Sequence, residues 1–112
     1  MIPVFDGHND LLPRLLLNPE RREDIFLTGE GKGHLDLPRM RAAGFAGGFF
    51  AVYLPSPVAH DDAEHQARMA NPPNALPLPD PMPQADAIGP ALAAMGHLHW
   101  MERASRSALK LC

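Results

Sequence analysis

The chain has 112 residues, 46% of them apolar, and a formal net charge of −3. Mild acidity without a basic stripe excludes a nucleic-acid-binding surface, and no apolar run approaches the roughly 20 residues of a membrane helix. Cys112, the single cysteine, excludes an internal disulfide and fits a reducing compartment; with no signal-peptide pattern, a soluble cytoplasmic protein is expected.

Residues 2–6, Ile-Pro-Val-Phe-Asp, form a continuous apolar run that predicts a strand buried on both faces, with Pro3 tolerated near its start. Asp6-Gly7-His8-Asn9-Asp10 then make a polar turn. Leu11, Leu12, Leu15 and Leu16 follow on one helical face, with Pro13 in the first turn, Asn9 or Asp10 as a cap, and Asn18-Pro19 as the end. Residues 20–33 are charged and then glycine-rich, and read as loop. Asp36 reads as the cap of a second helix carrying Leu37, Pro38, Met40 and Arg41, and Gly44 as its stop. The stretch "GFAGGFFAVYLP", residues 44–55, is aromatic and β-branched over 49–54, which predicts a second strand buried on both faces. Strand, helix, strand in this order implies a right-handed parallel crossover, the unit of an α/β protein.

The composition then shifts. Nine of the thirteen prolines lie between 55 and 90, so residues 55–83 read as a Pro-rich loop with a short helix near 61–70. Residues 84–105 read as a helix with Ile88, Leu92, Met95, Leu98 and Met101 on its apolar face, and Gly89-Pro90 as a kink or its true start. Leu109 and Leu111 in "SALKLC" read as the opening of a further strand. An unpaired opening strand is an unusual end for a domain, so residues 1–112 are expected to be the N-terminal part of a longer one.

Four groups of residues invite a chemical reading. His8 and Asp10 follow a strand end, where parallel α/β folds place their functional face. In an extended turn, positions two apart point the same way, so imidazole and carboxylate can grip one cation such as zinc, with Asp6 orienting His8 from behind. A helix cap beside an ordinary histidine explains the same spacing. His34-x-Asp36 repeats the pattern after a glycine-rich loop, where Asp36 is better explained as a cap. "HDDAEH", residues 60–65, reads as a solvated helix start whose carboxylates favour a helix N-terminus. His97 and His99 lie about 200° apart around a helix and cannot share a metal; one packs and one faces water. The proline tract reads as a long covering loop, with a polyproline II ligand as the other reading.

Two segments, "VFDGHNDLLPRLL" and "HLDLPRMRAAGFAGGFFAVYLP", closely resemble the membrane dipeptidase (renal dipeptidase) family of zinc metallopeptidases. The resemblance implies a metal-dependent-hydrolase (β/α)8 TIM barrel, of which this chain supplies about two βα units and the start of a third strand. It implies two zinc ions at the barrel mouth, bridged by a glutamate and a hydroxide, with His8 and Asp10 matching the pair that binds one of them. The implied reaction is metal-assisted hydrolysis of dipeptides, tolerant of a D-residue at the C-terminal side, by a bacterial-type enzyme with room for a homodimer and no nucleic-acid or membrane partner. The bridging glutamate and later histidines of the family are not matched here, and Glu102 does not match them. The isolated chain is therefore expected to be poorly folded and inactive. Two other classes stay open: a related amide or ester hydrolase of the same barrel superfamily, and a non-enzymatic module that uses the proline tract.

Overall fold

The computed structural model describes residues 2–54 and 63–112. Pro55, Pro57 and His60-Asp61-Asp62, which enter the proline-loop and "HDDAEH" readings, lie outside the described residues. In chain order the elements are β1 (Val4–Asn9), α1 (Leu11–Leu17), a 3-10 turn (Pro19–Arg21), a π-helical segment (Glu23–Thr28), α2 (Leu37–Ala42), β2 (Phe45–Phe50), α3 (Ala63–Ala70) and α4 (Gln84–Ala104). The fold is mixed α/β, as expected. β1 and β2 pair in parallel, pairing Val4 with Phe45, Phe5 with Gly47, Asp6 with Gly48 and Asn9 with Phe50.

Both strand boundaries differ from the sequence reading. β1 runs on through Asn9, so His8 lies within the strand and only Asp10 beyond it. β2 starts earlier and ends at Phe50, not at 54, because β1 can offer no partner once α1 begins; the last bond is from the Ala51 N–H to the Asn9 carbonyl, at 3.0 Å. Nor are the strands buried on both faces: Phe5 is 61% exposed and Phe49 67%, their rings meeting edge to face at 5.3 Å. Apolar surface is left open at Phe5 and Phe49 of the sheet and at Val52 and Tyr53 just beyond it.

Glycine is required at the sheet's centre and at its entry. A Cβ on Gly48 would come within 2.8 Å of the Phe45 ring and 3.1 Å of the Asp6 Cβ, so only glycine lets the strands approach here. Gly44, at φ +70°, takes the left-handed conformation that ends α2, in agreement with the sequence reading. At the other end of α2 the Asp36 carboxylate accepts the Arg39 backbone N–H at 2.9 Å and pairs with its guanidinium at 3.1 Å.

The core lies where α1 meets α4 and the π-helical segment covers their end. Leu11, Leu12, Leu15, Ile25, Phe26, Leu37, Met40, Ala94 and Met101 are buried together. Residues 20–33 are thus not simply loop, because the run Ile25-Phe26-Leu27 carries enough apolar surface to dock. Phe26 is fully buried against Trp100, ring centroids 6.0 Å apart, and the Arg22 guanidinium sits 4.6 Å over the same indole. The rest of the loop is tied down by Glu30, which pairs with Arg14 at 2.8 Å and with Arg21.

α4 spans the expected residues, with Pro90 inside it; of its expected apolar face Met101 is buried and Leu98 packs on the core, but the first three residues are not covered. Ala94, His97 and Met101 point inward, while Ile88, Leu92 and Met95 are about half exposed or more. The small Ala94 lets the helix approach α1 closely. A helix that is apolar most of the way round does not reveal its buried side by periodicity.

After α4 no third strand forms. The Leu109 N–H donates to the Ser105 hydroxyl at 3.2 Å and the Leu111 N–H to the Glu102 carboxylate at 3.4 Å, so the donors a ladder would need are already engaged. Residues 108–112 instead lie across a cavity of about 460 Å³ from β2. The radius of gyration is 16.9 Å, against about 13 Å for a compact domain of this length. No helix among the described residues is long and apolar enough to cross a membrane.

His97 carries a consequence for stability. It is 8% exposed, and its Nδ1 is buried with no hydrogen-bond partner among the described residues. Burial pushes the imidazole below 6.5, the ordinary histidine value, and the Arg22 charge lowers it further. The unfolded chain then takes up this proton first. Stability is fully present above pH 6.5 and is lost as pH falls from there toward the lower folded value. Urea unfolding at pH 7.5 and 5.5 should show a drop in midpoint that shrinks in His97→Leu. An equal drop in both proteins would contradict the assignment.

Candidate metal site

Asp10 occupies the cap position of α1, yet its side chain makes no capping bond. The Asn9 Oδ1 accepts the N–H of Leu11, the first residue of the helix, at 3.3 Å, an Asx turn that leads the chain into α1. The Asp10 carboxylate turns to His8, its Oδ1 3.3 Å from the imidazole Nε2. Both side chains are largely exposed, at 64% and 69%.

An irregularity in the sheet positions them. Between the Asp6 and Asn9 pairings β1 takes three steps against two on β2, so one extra residue is accommodated beside His8. Such an insertion bends a strand and re-aims its side chains, and it recurs next to functional sites. Asp6 holds the bend: its Oδ1 accepts the His8 backbone N–H at 3.2 Å and its Oδ2 the Asn9 side-chain amide at 3.0 Å. Asp6 therefore bears on His8 through the main chain rather than through the ring.

His8 and Asp10 edge a cleft of about 770 Å³ whose walls are Pro13, Leu16, Leu17, Ala51, Val52 and Tyr53. Two polar side chains at the rim of an apolar cleft can orient a small polar ligand while the walls take its apolar parts.

The donor set can be tested against a metal. Two donors at about 2.0–2.1 Å from a tetrahedral zinc ion are about 3.3 Å apart, the separation found here. Imidazole nitrogen with carboxylate oxygen is chemistry that suits zinc. Among the described residues, however, no group of three His, Cys, Asp or Glu side chains converges, so the pair fits one edge of a site.

The remaining candidates separate from it. Asp36 is a buried cap while His34 is exposed, so that pair is not a second site. Glu64 of the "HDDAEH" stretch pairs with Arg68 at 2.7 Å along α3. His97 is buried and His99 exposed, on different sides of α4. Asn9, a candidate cap by sequence, instead bonds to both strands and to the start of α1. The available signal was the readiness of Asn to hydrogen-bond the backbone two residues on.

The sequence pattern of the membrane dipeptidase family (peptidase family M19) matches residues 1–112. The crystal structure of a metallopeptidase from Rhodobacter sphaeroides, liganded with a phosphinate mimic of the dipeptide L-Ala-D-Ala, is 61% identical and superposes with a TM-score of 0.84, covering 99% of this chain and 32% of that one. The dipeptidase AC, also a metallopeptidase, is 60% identical with a TM-score of 0.77, covering 94% of this chain and 29% of that one. A protein of Acinetobacter calcoaceticus, described as an uncharacterized protein in the PQQ-III 3′ region, is 45% identical over 69 residues, which are 61% of this chain and 22% of that protein. The chain thus spans about a third of the length of these structural relatives or less. With a match over its whole length and a likeness of this depth, the chain belongs to the membrane dipeptidase family, peptidase family M19.

Proposed function

We propose that this chain supplies one corner of a zinc-dependent dipeptidase site, His8 and Asp10 holding one of two zinc ions at the mouth of a (β/α)8 barrel of which β1 and β2 are the first two strands. The observation that carries the reading is the 3.3 Å approach of an Asp10 carboxylate that has no capping duty to the His8 imidazole, at the rim of an open cleft. The phosphinate mimic of L-Ala-D-Ala on the Rhodobacter sphaeroides relative supports dipeptides as the substrate class.

In this reading zinc supplies Lewis acidity, which activates water near neutral pH and polarises the scissile carbonyl. The chain's own residues do the holding. His8 offers Nε2 and Asp10 its Oδ1, while Asp6 fixes the His8 main chain so that the imidazole need not search for its position. The apolar wall of Leu16, Leu17 and Val52 lies beside the pair, where it can take a small dipeptide side chain.

A catalytic zinc needs three protein ligands with an open position, and a second ion needs a bridging carboxylate. With two ligands, the 112-residue chain should hydrolyse no L-Ala-D-Ala even with zinc added. A chimera in which it replaces the matching third of the Rhodobacter sphaeroides relative should do so, and should lose activity to a chelator. Turnover by the short chain that survives both His8→Ala and Asp10→Ala would refute the site. An inactive but folded chimera would refute the assignment to dipeptide hydrolysis.

A further inference from the structure

Resting on the reading of His8 and Asp10 as a metal pair, we propose that Asn9, between them, is a positioning residue that pins the turn to β1, β2 and α1 so that Asp10 faces His8. Its side chain bonds to three elements at once. Oδ1 accepts the Leu11 N–H of α1 at 3.3 Å, and Nδ2 donates to Asp6 Oδ2 of β1 at 3.0 Å and to the Phe49 carbonyl of β2 at 3.2 Å. Both amide hydrogens and the carbonyl oxygen are thereby used, so the orientation of the side chain follows from its partners. The bond to Phe49 crosses the sheet beside the extra residue in β1, where the regular ladder is interrupted.

Asp10 occupies the cap position of α1 yet makes no capping bond, and Pro13 at the third helical position has no N–H for it to take. What directs Asp10 toward His8 is the path of the main chain, which Asn9 pins to α1 on one side and to both strands on the other. Without those bonds the turn is free to relax and the two donors to part. A serine at the same place would keep an acceptor for Leu11 but lack the reach and the donors to tie β2.

The test is a zinc titration of the 112-residue chain followed through the NMR signals of the His8 ring, with circular dichroism and thermal unfolding alongside. Asn9→Ala should weaken zinc binding at His8 by roughly tenfold or more, while Asn9→Ser should recover part of the loss. A purely structural role would lower the unfolding temperature of both variants and leave zinc affinity in the folded protein unchanged, and that result would overturn the proposal. If Asn9→Ala does not fold, Asn9→Ser at wild-type affinity would equally overturn it, and a measurable weakening would support it. Failure of the underlying reading looks different: His8 signals of the wild type would not respond to zinc, or would respond as strongly in Asp10→Ala.

Discussion

In the chimera that completes the chain, His8→Ala and Asp10→Ala should each lower dipeptide turnover by about a thousandfold, or about 4 kcal/mol of transition-state stabilisation. Each removes one of the donors at the 3.3 Å edge, and neither carries the fold. Both side chains are largely exposed, and Asp10 makes no capping bond, so the unfolding midpoint should barely move. The two changes together should cost little more than either alone, because a metal corner with one donor missing is already lost. Steady-state kinetics on the three variants, with unfolding curves, check this. A loss of activity that tracks a loss of stability would mean that the pair is structural.

The second large effect concerns the fold. Phe26 is fully buried, and truncating a core aromatic typically costs about 3–5 kcal/mol. Its edge-to-face contact with Trp100 goes as well, while the Arg22 guanidinium stays over the indole. Stability of a chain this size is on the order of 5–15 kcal/mol, and this one leaves large apolar surfaces uncovered. Phe26→Ala should therefore remove most of the cooperative unfolding transition, and Phe26→Leu a smaller part of it. Near-ultraviolet circular dichroism reports the change directly, since Trp100 is the single tryptophan. A loss under about 1 kcal/mol would mean that the segment around Phe26 does not pack on α4 in solution.

What could be read in advance, and what could not, has physical causes. The cap at Asp36, the stop at Gly44, α3 and the span of α4 were legible because capping and helix length are local properties. The ends of the strands were not, because a strand stops where its partner stops: Asn9 ends β1, and that removes the neighbour of residues 52–54. Residues 23–28 escaped because charge and glycine around Ile25-Phe26-Leu27 outweighed three apolar residues in the count, although Ile25 and Phe26 are almost wholly buried. The apolar stripe of α4 was right at Leu98 and Met101 and misplaced before them, since Ala94 and His97 are inconspicuous beside Ile88, Leu92 and Met95. At the site, spacing alone favoured a cap over a ligand for Asp10, and only the family resemblance pointed the other way. That the Asp10 side chain makes no capping bond and meets His8 instead is tertiary geometry that spacing does not carry.

The central claim is that His8 and Asp10 share one zinc ion. Anomalous diffraction at the zinc edge on a crystal of the chimera tests it most directly. The account predicts a peak about 2.0–2.2 Å from both the His8 Nε2 and the Asp10 Oδ1, with Asn9 still bonded to Leu11. A zinc-loaded, active crystal whose anomalous peaks all lie away from this pair, with Asp10 turned to cap α1, would contradict it.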